Sequence, residues 1–130
     1  MNSQVEKAIK EIRENFSDCH VTAKEDGQGG AYILVENIDL GDKYTDETRH
    51  TWVGFQISFQ YPFADVYPHH VRPDLSRKDQ QPLGAGMQLT RFVGFDRDSV
   101  QISRRSNNRD QNLETAKHKL LKIIEWASNQ

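Results

Sequence analysis

The sequence has a single cysteine, Cys19, among 130 residues. One thiol cannot close an internal disulfide, so a reducing, cytoplasmic compartment is the simpler expectation. Long apolar runs are also missing. No stretch approaches the roughly 18 apolar residues needed to cross a bilayer. The segment from Met1 to Phe16 is charged and helical in pattern, without the apolar core of a secretory signal. Charge of one sign is not in excess either. A formal net charge of −2 argues against a globally basic nucleic-acid binder and leaves only local patches. No internal repeat, linker or low-complexity segment interrupts the chain. Its length is that of one domain, 1–130, and suffices to bury one core without a disulfide or metal.

What is present is periodic. Val5, Ala8, Ile9, Ile12 and Phe16 recur at helical spacing, with Lys7, Lys10, Glu11 and Glu14 on the other face, which predicts an amphipathic helix ending near Ser17-Asp18. Cys19 to Lys24 and Ala31 to Val35 read as strands. Asp26-Gly27-Gln28-Gly29-Gly30 between them is a hairpin turn and not a phosphate loop, because no lysine-serine or lysine-threonine follows and the next element is a strand. Val53, Phe55, Ile57 and Phe59 alternate with Trp52, Gly54, Gln56 and Ser58, so one face of this strand is buried and the other open or lightly covered. Val66 to Val71 is a fourth candidate strand, bounded by Pro68 and Pro73. Met87 to Val93 and Val100 to Ile102 are short candidates around a turn at Gly94 to Asp98. A last helix is expected from about Leu113, burying Leu113, Ala116, Leu120, Leu121, Ile124 and Ala127, with Asp110 or Asn112 as cap. Its Lys117, Lys119 and Lys122 are placed toward the C-terminal half, where they suit the helix dipole. The order is helix, antiparallel meander of about four strands, irregular middle, helix: an α+β class.

The strand from Trp52 to Phe59 followed by Tyr61-Pro62-Phe63, with Pro68 and Pro73 downstream, resembles the junction of ubiquitin-conjugating enzymes and the related RWD domains. Residues 61 to 75 and the stretch Ser103-Arg104-Arg105-Ser106-Asn107 look closest to bacterial members, which belong to ubiquitin-like modification systems, several linked to phage defence. The resemblance implies a helix, meander and helix of that fold. It also implies a cysteine downstream of the fourth strand that takes the modifier as a thioester. No cysteine follows Tyr61. Cys19 lies far upstream, and His69-His70 is not the family's His-Pro-Asn motif. The family's catalytic residues therefore do not transfer. Two readings stay open. One is a non-catalytic pseudoenzyme that binds a modifier, an activating enzyme or a substrate. The other is a conjugating enzyme in which Ser103 or Ser99 replaces the cysteine. Neither implies a cofactor, nucleic acid or a membrane.

Residue by residue, His69 and His70 with His50, Asp65 and Asp74 suggest a metal site on paper. Adjacent side chains of a strand point to opposite faces, so no metal is assigned, and both imidazoles are expected in solvent or hydrogen-bonded. Arg104, Arg105 and Arg109, with Ser103, Asn107 and Asn108, form the densest basic cluster. One reading is an anion or acidic-partner site. The other is a solvated loop paired to Asp96, Asp98 or Asp110. Trp52 and Trp126 read as core or groove residues, Trp126 covering a sheet edge. Cys19 reads as a small core residue. No Gly-x-Ser-x-Gly elbow marks a hydrolase.

Overall fold

The structure is a computed structural model that describes residues 1–106, 110 and 113–130. Helix α1 (Ser3–Asn15) starts at Asn2, whose side chain accepts from the Val5 N–H. It buries Val5, Ala8, Ile9 and Ile12, the stripe its spacing predicts. Six antiparallel strands follow: β1 (Val21–Glu25), β2 (Ala31–Asp39), β3 (His50–Ile57), β4 (His69–Val71), β5 (Met87–Phe92) and β6 (Arg97–Ile102). Their spatial order is β1-β2-β3-β4-β6-β5. Helix α2 (Ala116–Ser128) closes the chain. The α+β class holds. The sheet has six strands rather than about four, because the β5–β6 hairpin joins it and β6 pairs with β4.

Between β1 and β2, the Asp26 carboxylate accepts from the Gln28 and Gly30 N–H groups and closes the hairpin turn. Strand β2 runs on to Asp39 through a bulge after Val35, where Asn37 takes a left-handed φ of 70°. Tyr61-Pro62 and Tyr67-Pro68 are both cis. Strand β3 ends at Ile57, so Phe59 is half exposed in the following turn instead of continuing the buried face.

One core lies between the helices and one face of the sheet. It joins Ile9 and Ile12 of α1 to Ile33, Phe55 and Ile102 of the strands and Leu120 of α2. The other sheet face is covered more heavily than the alternation of β3 suggests. The tip of the β5–β6 hairpin folds over it, and Phe92 sits on bare Gly54. The Phe92 ring stacks on His70 at 4.8 Å and on Trp52 at 6.2 Å and meets Tyr32 edge-on at 6.3 Å. A Cβ on Gly54 would lie 2.3 Å from the Phe92 ring, and one on Gly94 would lie 2.4 Å from Tyr32. Both glycines therefore serve close approach of the hairpin.

Helix α2 departs from the sequence reading. It starts at Ala116, and Thr115 is its cap instead of Asp110; Asn112 lies outside the described residues. The Thr115 N–H donates to His118 Nδ1 at 3.4 Å, and the Thr115 hydroxyl donates to Glu11 of α1. The buried stripe is Ala116, Lys119, Leu120, Ile123 and Ala127. Leu113 and Leu121, expected inside, are 70% and 46% exposed. Lys117 and Lys119 lie in the first turn and not in the C-terminal half. No helix among the described residues is long and apolar enough to cross a membrane.

Candidate functional site

The strongest charged feature lies where β6 runs out toward α2. Beyond Ile102, the Ser103 N–H still bonds the Gly86 carbonyl at 2.9 Å. Three residues on, Ser106 is pinned from two sides. Its N–H donates to Asp65 Oδ2 at 2.7 Å, and its hydroxyl donates to Glu114 at 2.8 Å. Lys119 reaches the same point from α2. Its ammonium donates to Asp65 at 3.0 and 3.2 Å and to the Ser106 hydroxyl at 2.6 Å. Each of its protons thus finds an acceptor, which is what a buried ammonium requires. Tyr61 completes the anchor: its hydroxyl accepts the first N–H of α2, from Ala116, at 3.1 Å.

Between those two anchors stand Arg104 and Arg105. The Arg104 guanidinium lies over the Trp126 ring at 4.9 Å, and that of Arg105 over Tyr67 at 5.0 Å. Each contact is worth about 0.5–1 kcal/mol at an exposed site. Neither arginine has an ion pair among the described residues. Of the three partners considered from sequence, Asp96 and Asp98 both pair with Arg91 instead. With Lys122, Ile123 and Trp126, the two arginines line an open pocket of about 290 Å³. Lys122 is neutralised by Glu114 at 3.0 Å, so among the described residues the free charge of the pocket is that of the arginines. A guanidinium held flat loses little side-chain freedom on binding and keeps its edge donors for a carboxylate or phosphate. Asn107, Asn108 and Arg109, grouped with these residues in sequence, lie outside the described residues.

The two histidines are not brought to a site. Their rings point to opposite faces of β4, as strand geometry requires. The expectation that they meet solvent or hydrogen-bond partners needs correction for His69. It is fully buried against Phe55 at 5.0 Å, and neither ring nitrogen has a partner among the described residues. His70 is buried under Phe92, and its Nδ1 bonds the Ser99 hydroxyl at 2.8 Å. Burial, with Lys119 and His70 nearby, pushes His69 down to about 3, and burial pushes His70 down to about 4. Both imidazoles are therefore neutral in the folded chain near pH 7. In the unfolded chain they take up protons near 6.5. Between about pH 6.5 and 4 the unfolded state holds more protons, so stability falls as the pH drops through that window. Two such groups give a slope of at most about 2.7 kcal/mol per pH unit. Urea midpoints from pH 7 to 4.5 should show this fall, and a His70→Gln variant should flatten it.

The serines considered as nucleophiles differ. Ser99 has no exposed surface, so a macromolecular carboxyl terminus cannot meet it in this conformation. Ser103 is exposed, and its hydroxyl accepts from the Gln101 amide at 2.8 Å. Cys19 is half-buried and packs beside the core. Burial, and then Asp18, raise its thiol above the ordinary value, which lowers its thiolate fraction. Of the fold-motif residues, Tyr61 is buried, Pro62 and Pro68 are half-buried, and Phe63 projects at 80% exposure. Among the described residues no group of three or more His, Cys, Asp or Glu side chains is placed to hold a metal ion.

The sequence reading named Ser106 in one stretch with the arginines and Asp65 only beside the histidines, and it gave Asp65, Ser106, Glu114 and Tyr67 no part in positioning the arginines. One signal was legible: Lys119 sits three residues after Ala116 and four before Ile123, on the apolar stripe. A charge at a stripe position calls for a buried partner. No known protein family, curated protein or solved structure matches this chain.

Proposed function

We propose that this domain is a non-catalytic, ubiquitin-conjugating-enzyme-like binding module of a bacterial ubiquitin-like modification or defence system. On this reading it recognises an acidic segment of a protein partner at Arg104 and Arg105. The partner is the modifier, its activating enzyme or a substrate. The observation that carries the reading is the pair of arginines. They are adjacent, each is seated on an aromatic ring, and neither has a counter-ion among the described residues. Two guanidinium groups without an ion pair among the described residues, on a clamped segment, suit bidentate capture of carboxylates. The order of elements and the Tyr61-Pro62-Phe63 step support the family, and the absence of any cysteine after Tyr61 supports recognition without transfer.

Two measurements test this. A short poly-glutamate peptide should bind the intact chain. Arg104→Ala/Arg105→Ala should lower its affinity about tenfold or more, the usual size for losing charge-assisted bonds. Equal binding by both proteins would remove the site. Second, the chain mixed with a ubiquitin-like modifier and its activating enzyme should form no thiol-labile adduct. An adduct through Cys19 would refute the reading, and a thioester gained by Ser103→Cys would favour the conjugating-enzyme alternative.

A further inference from the structure

The arginine pair stands above one flank of α2. Lys119, Lys122, Ile123 and Trp126 fall at i, i+3, i+4 and i+7, so they share one row along the helix. The segment from Arg104 to Ser106 lies against that row and runs opposite to the helix. Arg104 is seated on Trp126 near the end of α2, and Ser106 is bonded to Lys119 near its start. The space between row and segment is an open trough of about 290 Å³. Pockets for small ligands span about 300–1,000 Å³, so this one suits a single residue and part of its neighbour.

The two ends of the trough differ. At the Ser106 end, the Lys119 ammonium is engaged by Asp65 and the Ser106 hydroxyl, and Lys122 is held by Glu114. At the Trp126 end, Arg104 has no ion pair among the described residues. No carboxylate is among the lining residues, and Glu125, the acidic neighbour of Trp126, is not one of them. Ile123 lies on the floor between the two ends. Arg105 also borders the trough, but its guanidinium lies over Tyr67, which is 40% exposed and outside the lining. The two cations are therefore not equivalent.

We propose that Arg104 is the specificity-determining residue of this site and that its ligand is an acidic residue flanked by an aliphatic one, within a protein chain. Arg104 takes the carboxylate bidentately at the Trp126 end, and the aliphatic neighbour lies over Ile123. Arg105 stands at the rim and draws the acidic segment in. This rests on the reading of the arginines as an acidic-partner site. A guanidinium held on a ring presents parallel N–H donors in one plane, which a lysine ammonium cannot. A charge at the rim works instead through encounter and salt dependence, which lysine serves as well.

Chemical-shift titration of the intact chain tests this, with blocked peptides reaching about 10 mM. The probes are poly-glutamate, a glycine peptide carrying Leu-Glu-Leu at its centre, and one carrying Gly-Glu-Gly there. The leucine peptide should bind about threefold or more tighter than the glycine peptide. Arg104→Lys should weaken the leucine peptide about fivefold or more, whereas Arg105→Lys should stay within about twofold of the wild type. Both positions are exposed, so both variants should melt with the wild type. Equal losses, a larger loss in Arg105→Lys, or no preference for leucine overturns the proposal, and binding of poly-glutamate then leaves the acidic-partner reading standing. Equally tight binding of a leucine-ended peptide whose sole carboxylate is its C-terminus also overturns it. If poly-glutamate does not bind the wild type at all, the acidic-partner reading falls and this inference with it.

Discussion

Gly54→Ala should lower the thermal midpoint by about 10–30 °C, although it adds one methyl group to a strand. The new Cβ would stand 2.3 Å from the Phe92 ring, so the ring must leave its seat on the outer face. Losing a buried phenylalanine costs about 3–5 kcal/mol. For a chain of this size each kilocalorie moves the midpoint by about 3–6 °C. The packing also dictates a non-additive cycle. Phe92→Ala alone should cost a similar amount, because Trp52, His70 and Tyr32 lose the ring they share. Once that ring is gone, the methyl on residue 54 has room. Gly54→Ala/Phe92→Ala should therefore cost far less than the sum of the single changes. Thermal melts of the three variants read this directly. Additive losses would mean that Phe92 does not sit on Gly54.

The second large effect belongs to the buried ammonium. Asp65→Ala should destabilise the chain by about 3–5 kcal/mol, because Lys119, with a side chain only 4% exposed, loses its counter-ion. Removing both charges is a different matter. Asp65→Leu/Lys119→Met fills similar volume without desolvating an ion, and most of the lost stability should return. Binding should not return with it. Ser106 is held by Asp65 and Lys119, and it anchors the segment that carries Arg104 and Arg105. The double variant should melt near the wild type yet bind poly-glutamate more weakly. Urea unfolding and peptide titration on the same samples separate the two effects. Full affinity in a stable double variant would show that the arginines need no clamp.

Near-neighbour patterns carried much of the fold. The stripe of α1 is legible because residues three and four apart share a helix face whatever surrounds them. The alternation of Val53, Phe55 and Ile57 is legible for the same reason at a period of two. The Asp26 to Gly30 turn follows from local chemistry, in which a carboxylate accepts nearby N–H groups. The cluster of arginines after Ser103 is visible in the chain, and so is the opposite orientation of His69 and His70.

The tertiary structure decided what depends on partners distant in sequence. Gly54 and Phe92 are 38 positions apart, and no local pattern says that one is the floor for the other. The β5–β6 hairpin entered the sheet through β4, a strand of only three residues whose own pattern is too short to announce it. The start of α2 was set by Tyr61, which supplies the acceptor for its first N–H from 55 residues away, and this turned Leu113 and Leu121 outward. Arg104 and Arg105 became a site only when Trp126 and Tyr67 came beneath them and Asp65 fixed the chain beyond. Sequence fixes periodicity because covalent geometry is local. Which faces and charges meet is settled by packing and desolvation, and these are properties of the assembled chain.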